Sequence, residues 1–261
     1  MRRLAACALL LGVLAGCRPD TVAVSFHPAV GTTYRYEIDV EATSTTTLEG
    51  SAPDRKVEEV HLVAEHTVLD AGPDGVRVRV RVGQPGSATQ AFVVRFDRSA
   101  QLESIESAEG ASAEIVGALG VPEIFPGATG PPAGRRLAPG DRWHVARTVD
   151  VPGAEVSSHL RVDGRLVELG LAGDEKVARL RSTAHLPLRA TAAASGGLLV
   201  LDGDQVIDQR ATYDLDDGAV RRARTTTTGH FDIQVQPPAG TIATPVPGTL
   251  DVRVTSTTRR L

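Results

Sequence analysis

Apolar and polar residues alternate with period two along most of this chain, the pattern of antiparallel strands with one buried and one wet face. In residues 34–40 the inward set is Tyr34, Tyr36, Ile38 and Val40. Val60, Leu62 and Ala64 face away from Glu59, His61 and Glu65, and Val76, Val78, Val80 and Val82 face away from Arg77, Arg79 and Arg81. Late in the chain Phe231, Ile233 and Val235 oppose His230, Asp232 and Gln234, and Leu250, Val252 and Val254 oppose Asp251, Arg253 and Thr255. Turn signals separate these runs. Pro73-Asp74-Gly75, Asp217-Gly218 and Asp163-Gly164 each sit between apolar segments, and an Asp-Gly pair in that setting predicts a hairpin.

One stretch carries helical spacing. Residues 108–119 place Ala111, Ile115, Ala118 and Leu119 on one face, which predicts a short central helix weakened by Gly110 and Gly117. Residues 121–134, dense in Pro and Gly, then divide the chain. Its two sides are similar. Gly31 leads into Tyr34 and Tyr36 as Gly140 leads into Trp143, and strand, acidic turn and strand recur at 93–105 and 211–223. The expected fold is all-β: a curved antiparallel sheet, either one half-barrel or two similar meanders. The expected organisation is a first meander over 30–107, helix and Pro/Gly connection over 108–139, and a second meander over 140–261.

The N-terminus changes the picture. Met1-Arg2-Arg3 is a short basic region, residues 4–13 are apolar, and Leu14-Ala15-Gly16-Cys17 follows. The apolar run is far short of the ~20 residues that span a bilayer. Residues 14–17 resemble the lipobox of bacterial lipoproteins. The resemblance implies that residues 1–16 are a signal peptide, that Cys17 is the lipidated first residue of the mature chain, and that 17–29 form a tether. Two or more acyl chains anchor a protein stably where one does so marginally. The expected location is the cell envelope: the outer membrane in a Gram-negative bacterium, since Arg18 rather than Asp follows the cysteine, and otherwise the outer face of the cell membrane.

With Cys7 in the leader and Cys17 lipidated, the mature domain has no thiol, so cysteine nucleophiles and thiolate metal sites drop out. The net charge is −4, or −6 without Arg2 and Arg3, and aromatics make up 3% of residues. Neither feature suits nucleic acid, which calls for a basic surface and stacking platforms. The basic residues are nearly all arginine, only Lys56 and Lys176 being lysine, and their alternation with apolar residues reads as a solvated outer face.

Candidate chemistry is sparse. Glu59, His61 and Glu65 share one strand face, but positions i and i+4 of a strand lie ~13 Å apart, too far to hold one ion unaided. Ala193-Ala-Ser-Gly-Gly197 lacks the first glycine of a nucleophile elbow and reads as a loop. Residues 202–208 and 214–218 are acidic, without the glycine and glutamate of a calcium loop. Threonine runs at 43–47, 225–228 and 255–258 admit two readings: ordinary β-propensity, or the wetter mouth of an apolar concavity, which requires the three to lie together.

Gly31, Tyr34, Tyr36, Gly140, Asp141 and Trp143 carry a resemblance to a group of uncharacterised β-rich bacterial lipoproteins. More remotely the layout is similar to the half-barrels of the Lol lipoprotein carriers and of mycobacterial lipid-binding lipoproteins, where a curved sheet cups acyl chains. The expectation is a non-enzymatic, membrane-tethered protein with no cofactor and no bound metal. Its partners would be the membrane, a lipid or other apolar ligand, or an envelope protein. Tyr34, Tyr36, Phe96, Trp143, Tyr213 and Phe231 would line the inner face, where core packing is the other role open to each.

Overall fold

A computed structural model describes residues 21–87, 89–98, 102–109, 130–132, 134–149, 158–194, 197–237 and 244–261. Cys17 and the other lipobox residues lie outside these. The strands are β1 (Val22–Ala23), β2 (Thr33–Leu48), β3 (Asp54–Gly72), β4 (Gly75–Gly83), β5 (Gln90–Phe96), β6 (Leu102–Glu109), β7 (Arg136–Leu137), β8 (Arg142–Val149), β9 (Ser158–Ala172), β10 (Glu175–Ala194), β11 (Gly197–Asp214), β12 (Val220–Gln236) and β13 (Val246–Arg260). Eleven of them form one antiparallel sheet in the order β6-β5-β4-β3-β2-β13-β12-β11-β10-β9-β8, which is not closed, while β1 and β7 pair separately. Strands β2 to β6 and β8 to β13 are each a meander of consecutive hairpins. The two join through β2 and β13, so the alternatives of one sheet or two packed modules resolve to one continuous sheet.

Two expectations are corrected. No helix occurs among the described residues, and Ala108, its expected start, belongs to β6, while 110–119 lie outside them. Asp163-Gly164 is not a turn but the middle of the fifteen-residue β9. Gly164 faces Trp143 across the β8–β9 pair, and a Cβ there would stand 2.1 Å from the indole Cζ2. The glycine is present so that an aromatic ring can lie against the strand, a use of strand glycine unrelated to turning. Pro73-Asp74-Gly75 and Asp217-Gly218 do turn the chain, between β3 and β4 and between β11 and β12.

The alternation assigns faces as the sequence requires. Tyr34, Tyr36, Ile38 and Val40 are buried on the inner face beside Val76, Val78, Val80 and Val82, while Arg79 and Arg81 are exposed on the other. One end of the inner face is capped by chain that is not part of the sheet. Phe26 enters a cluster with Tyr34, Tyr36, Phe96 and Ala219, and Val24 and Leu137 enter another with Trp143, Leu166 and Tyr213. Phe26 N–H donates to the Arg98 carbonyl and His27 N–H to that of Asp217, both at 2.8 Å, which satisfies the backbone of this cover.

Candidate functional site

Side chains that face each other across the ladders form rows perpendicular to the strands, and the inner face changes character row by row. Beside the capped end runs a buried belt of small polar groups: Ser256 opposite Thr225, Thr225 opposite Gln209, Gln209 opposite Ser182. All four are at most 4% exposed, and Gln209 Nε2 donates to Thr225 Oγ1 at 3.4 Å. Past the belt the face is aliphatic again, with Ile207, Ala184, Val162 and Leu160 in a third cluster.

Beyond that lies a half in which no core cluster extends over the described side chains. Val252, Leu250, Leu188, Leu201, Leu199 and Val235 are on the inner side and only half-buried. Phe231 is 2% exposed and spreads over two glycines, one opposite it and one two residues before it, since a Cβ at Gly203 or Gly229 would come within 3 Å of its ring. That packing smooths the floor. Apolar area on this half is worth about 25 cal/mol per Å² to any apolar body that covers it.

Of the six aromatic candidates, five stand at the capped end and one, Phe231, in the half beyond. Tyr34, Tyr36 and Phe96 surround, with Phe26, His66 and Ala219, a void of ≈ 20 Å³, room for about one water. Trp143 and Tyr213 sit in the cluster under Val24. Burial holds the hydroxyls of Tyr34, Tyr36 and Tyr213 well above the ordinary phenol range, and Tyr34 donates to Asp217 Oδ2 at 2.8 Å.

The sequence reading passed over His66. It is fully on the inner face with its ring 4.9 Å from that of Tyr36, and burial lowers its pKa from about 6.5 to about 4. The unfolded chain therefore takes up a proton near pH 6.5 that the folded one refuses until about pH 4. The resulting stability is full above pH 6.5 and is lost as pH falls towards 4. Urea denaturation at pH 7.5 and 4.5 should show His66→Phe sparing the protein about 2.5 kcal/mol of the acid loss seen in the parent. Equal acid losses in the two proteins would refute the assignment.

The remaining histidines singled out in the sequence stand on the outer face with cross-strand partners. His61 Nδ1 lies 2.7 Å from Asp39 and His144 Nδ1 3.0 Å from Asp163, while His159 meets the Thr148 hydroxyl at 3.4 Å. Glu65 accepts from Arg35, and among the described residues no three His, Cys, Asp or Glu side chains converge on one point.

The threonine runs are neighbours, since β2, β13 and β12 are adjacent, but they do not make one mouth. Thr225, Thr227 and Thr258 are buried on the inner face. Thr43, Thr45 and Thr228 instead line an open depression of ≈ 510 Å³ on the outer face, with His230, Asp251 and Arg253. There the Asp251 hydrogen bond at 2.7 Å raises the pKa of His230. No family model matches the chain, and no curated protein sequence shows significant similarity to it.

Proposed function

We propose that the sheet curves into a half-barrel whose aliphatic half, beyond the buried polar belt, carries a lipid or another apolar molecule, and that Cys17 tethers the protein to an envelope membrane. The observation that supports this is the inner face itself. On β10 to β13 it carries Val252, Leu250 and Leu201 past the last core cluster, so several large aliphatic side chains stay half-exposed on the side where strands normally bury them, while on β2 and β3 the rows end in Ser44 with Lys56 and Thr46 with Asp54. The capped end has no comparable space among the described residues. The lipobox at residues 14–17 supports the anchored location.

Native mass spectrometry of residues 18–261 tests the reading. The expected result is a retained lipid mass that is lost when Leu250 and Leu201 are both replaced by Arg. A clean unliganded mass after incubation with envelope lipid extract would move the search to protein partners. That second reading draws on the sheet being open: β6 and β8 each pair on one side only among the described residues, and an edge strand is a template for β-augmentation.

A further inference from the structure

The outer face of the second meander carries a feature that the strand alternation alone does not disclose. Arg142 on β8 stands opposite Arg165 on β9, Arg165 opposite Arg181 on β10, Arg181 opposite Arg210 on β11, and Arg210 opposite Arg224 on β12. Five arginines thus occupy one row across five adjacent strands, every one of them exposed. With strands ~4.8 Å apart the row is about 19 Å long.

Like charges directly opposite each other oppose sheet formation. The first meander neutralises its arginines: Arg77 and Arg95 stand opposite each other, but Arg77 is paired with Glu106 and Arg95 with Glu103, as Arg35 is with Glu65. The next row of the second meander does the same at its two ends, where Arg259 meets Glu37 and Arg179 meets Glu168. None of the five arginines of the row has an ion pair among the described residues. On a chain of net charge −4 this is a local concentration of unneutralised guanidinium.

We infer that this row is a binding site for a linear acidic polysaccharide, whose carboxylates the five guanidinium groups take up rung by rung. Guanidinium forks match carboxylates bidentately, and a polymer with a charge on each sugar ring is dense enough to serve every rung. The borders of the row favour this ligand. Asp208 and Asp163 lie in the adjacent row with Thr226 and Thr183, hydroxyl and carboxylate groups that hydrogen-bond sugar hydroxyls. A flat anionic membrane fits the twist badly, because neighbouring strands turn by ~20–25° and five of them fan the arginines through roughly 80–100° about the row. All three tyrosines and the tryptophan face the other side, so nucleic acid bases would find nothing to stack on. The site lies on the opposite face from the proposed lipid surface and stands or falls independently of it.

Fluorescence polarisation of labelled polygalacturonate in 20 mM salt reads the proposal. Binding is expected, weakening steeply in 300 mM salt. Arg181→Ser with Arg210→Ser should reduce affinity at least tenfold, while Arg79→Ser with Arg81→Ser, exposed arginines of the first meander, should change it less than twofold. Thermal melting separates this from unfolding: with the repulsion removed, the first double variant should melt no lower than the parent. Absence of binding to the polymer, equal losses in the two double variants, or row-dependent binding to phosphatidylglycerol vesicles instead of the polymer would overturn the assignment.

Discussion

Asp214→Ala should destabilise the protein by about 4 kcal/mol in urea denaturation at neutral pH, the scale for breaking a nearly buried charge pair from one side. Arg260, the last residue of β13, has a side chain only 16% exposed, and Asp214 at 7% is its closest acid, at 2.7 Å. Asp217 and Glu175 stand farther off, at 3.8 and 3.6 Å, and the guanidinium lies 5.8 Å from the centre of the Tyr34 ring. Asp214 also accepts from the Asp216 backbone N–H, so it shapes the turn that Asp217 and Ala219 complete. Alanine would leave the charge only its longer contacts to Glu175 and Asp217 and loosen the turn at once. Replacing the pair together, Asp214→Leu with Arg260→Met, should recover most of the loss, because the two desolvation costs go with the charges. A single variant costing under about 1 kcal/mol would show that water already screens the pair.

Gly218→Ala should cost about 3 kcal/mol and should act on the cover of the capped end before it acts on the sheet. The glycine has φ = +75°, which an L residue adopts at a cost of about 1–2 kcal/mol. A Cβ would also stand 2.0 Å from the Ser25 carbonyl oxygen and 2.8 Å from the Phe26 Cα, both backbone atoms that cannot swing aside. The segment that yields is the one holding Phe26 edge-on to Phe96 at 5.9 Å. Amide exchange reads this directly: the Phe26 N–H, bonded to Arg98, should lose protection while the central β2 and β13 amides keep theirs. Uniform loss across the sheet would show that cover and sheet unfold together.

Much of the fold was legible because strand alternation is a local signal. The inward faces of β2, β3, β4, β12 and β13 follow from side-chain period alone, and so do the hairpins at Gly75 and Gly218. Asp163-Gly164 misled because the same two letters serve a turn and a strand: in β9 the Asp reaches across to His144 and the Gly makes room for Trp143, and both partners come from β8. His66 was passed over beside a stripe of acidic neighbours, although its parity with Leu62 and Ala64 already assigned it inward. The aromatic candidates are all buried, but whether a side of the sheet stays open depends on segments such as 24–27 that show no periodicity. The arginine row lay furthest from reach. Each arginine sits in an ordinary alternating strand, and only the register of four ladders brings them into line.

The pairing of β2 with β13 has a consequence for how the molecule comes into being. The thirteen residue pairs of that seam join the first long strand of the chain to the last, Tyr36 against Arg260 and Leu48 against Gly248. During synthesis the first meander is finished while its β2 edge still has no neighbour, and it must wait for the final strand to emerge. A chain shortened by its last fifteen residues would keep the hairpins of β2 to β6 and of β8 to β12 yet lose the strand that joins them, leaving two separate sheets with fresh edges where the intact protein has its middle.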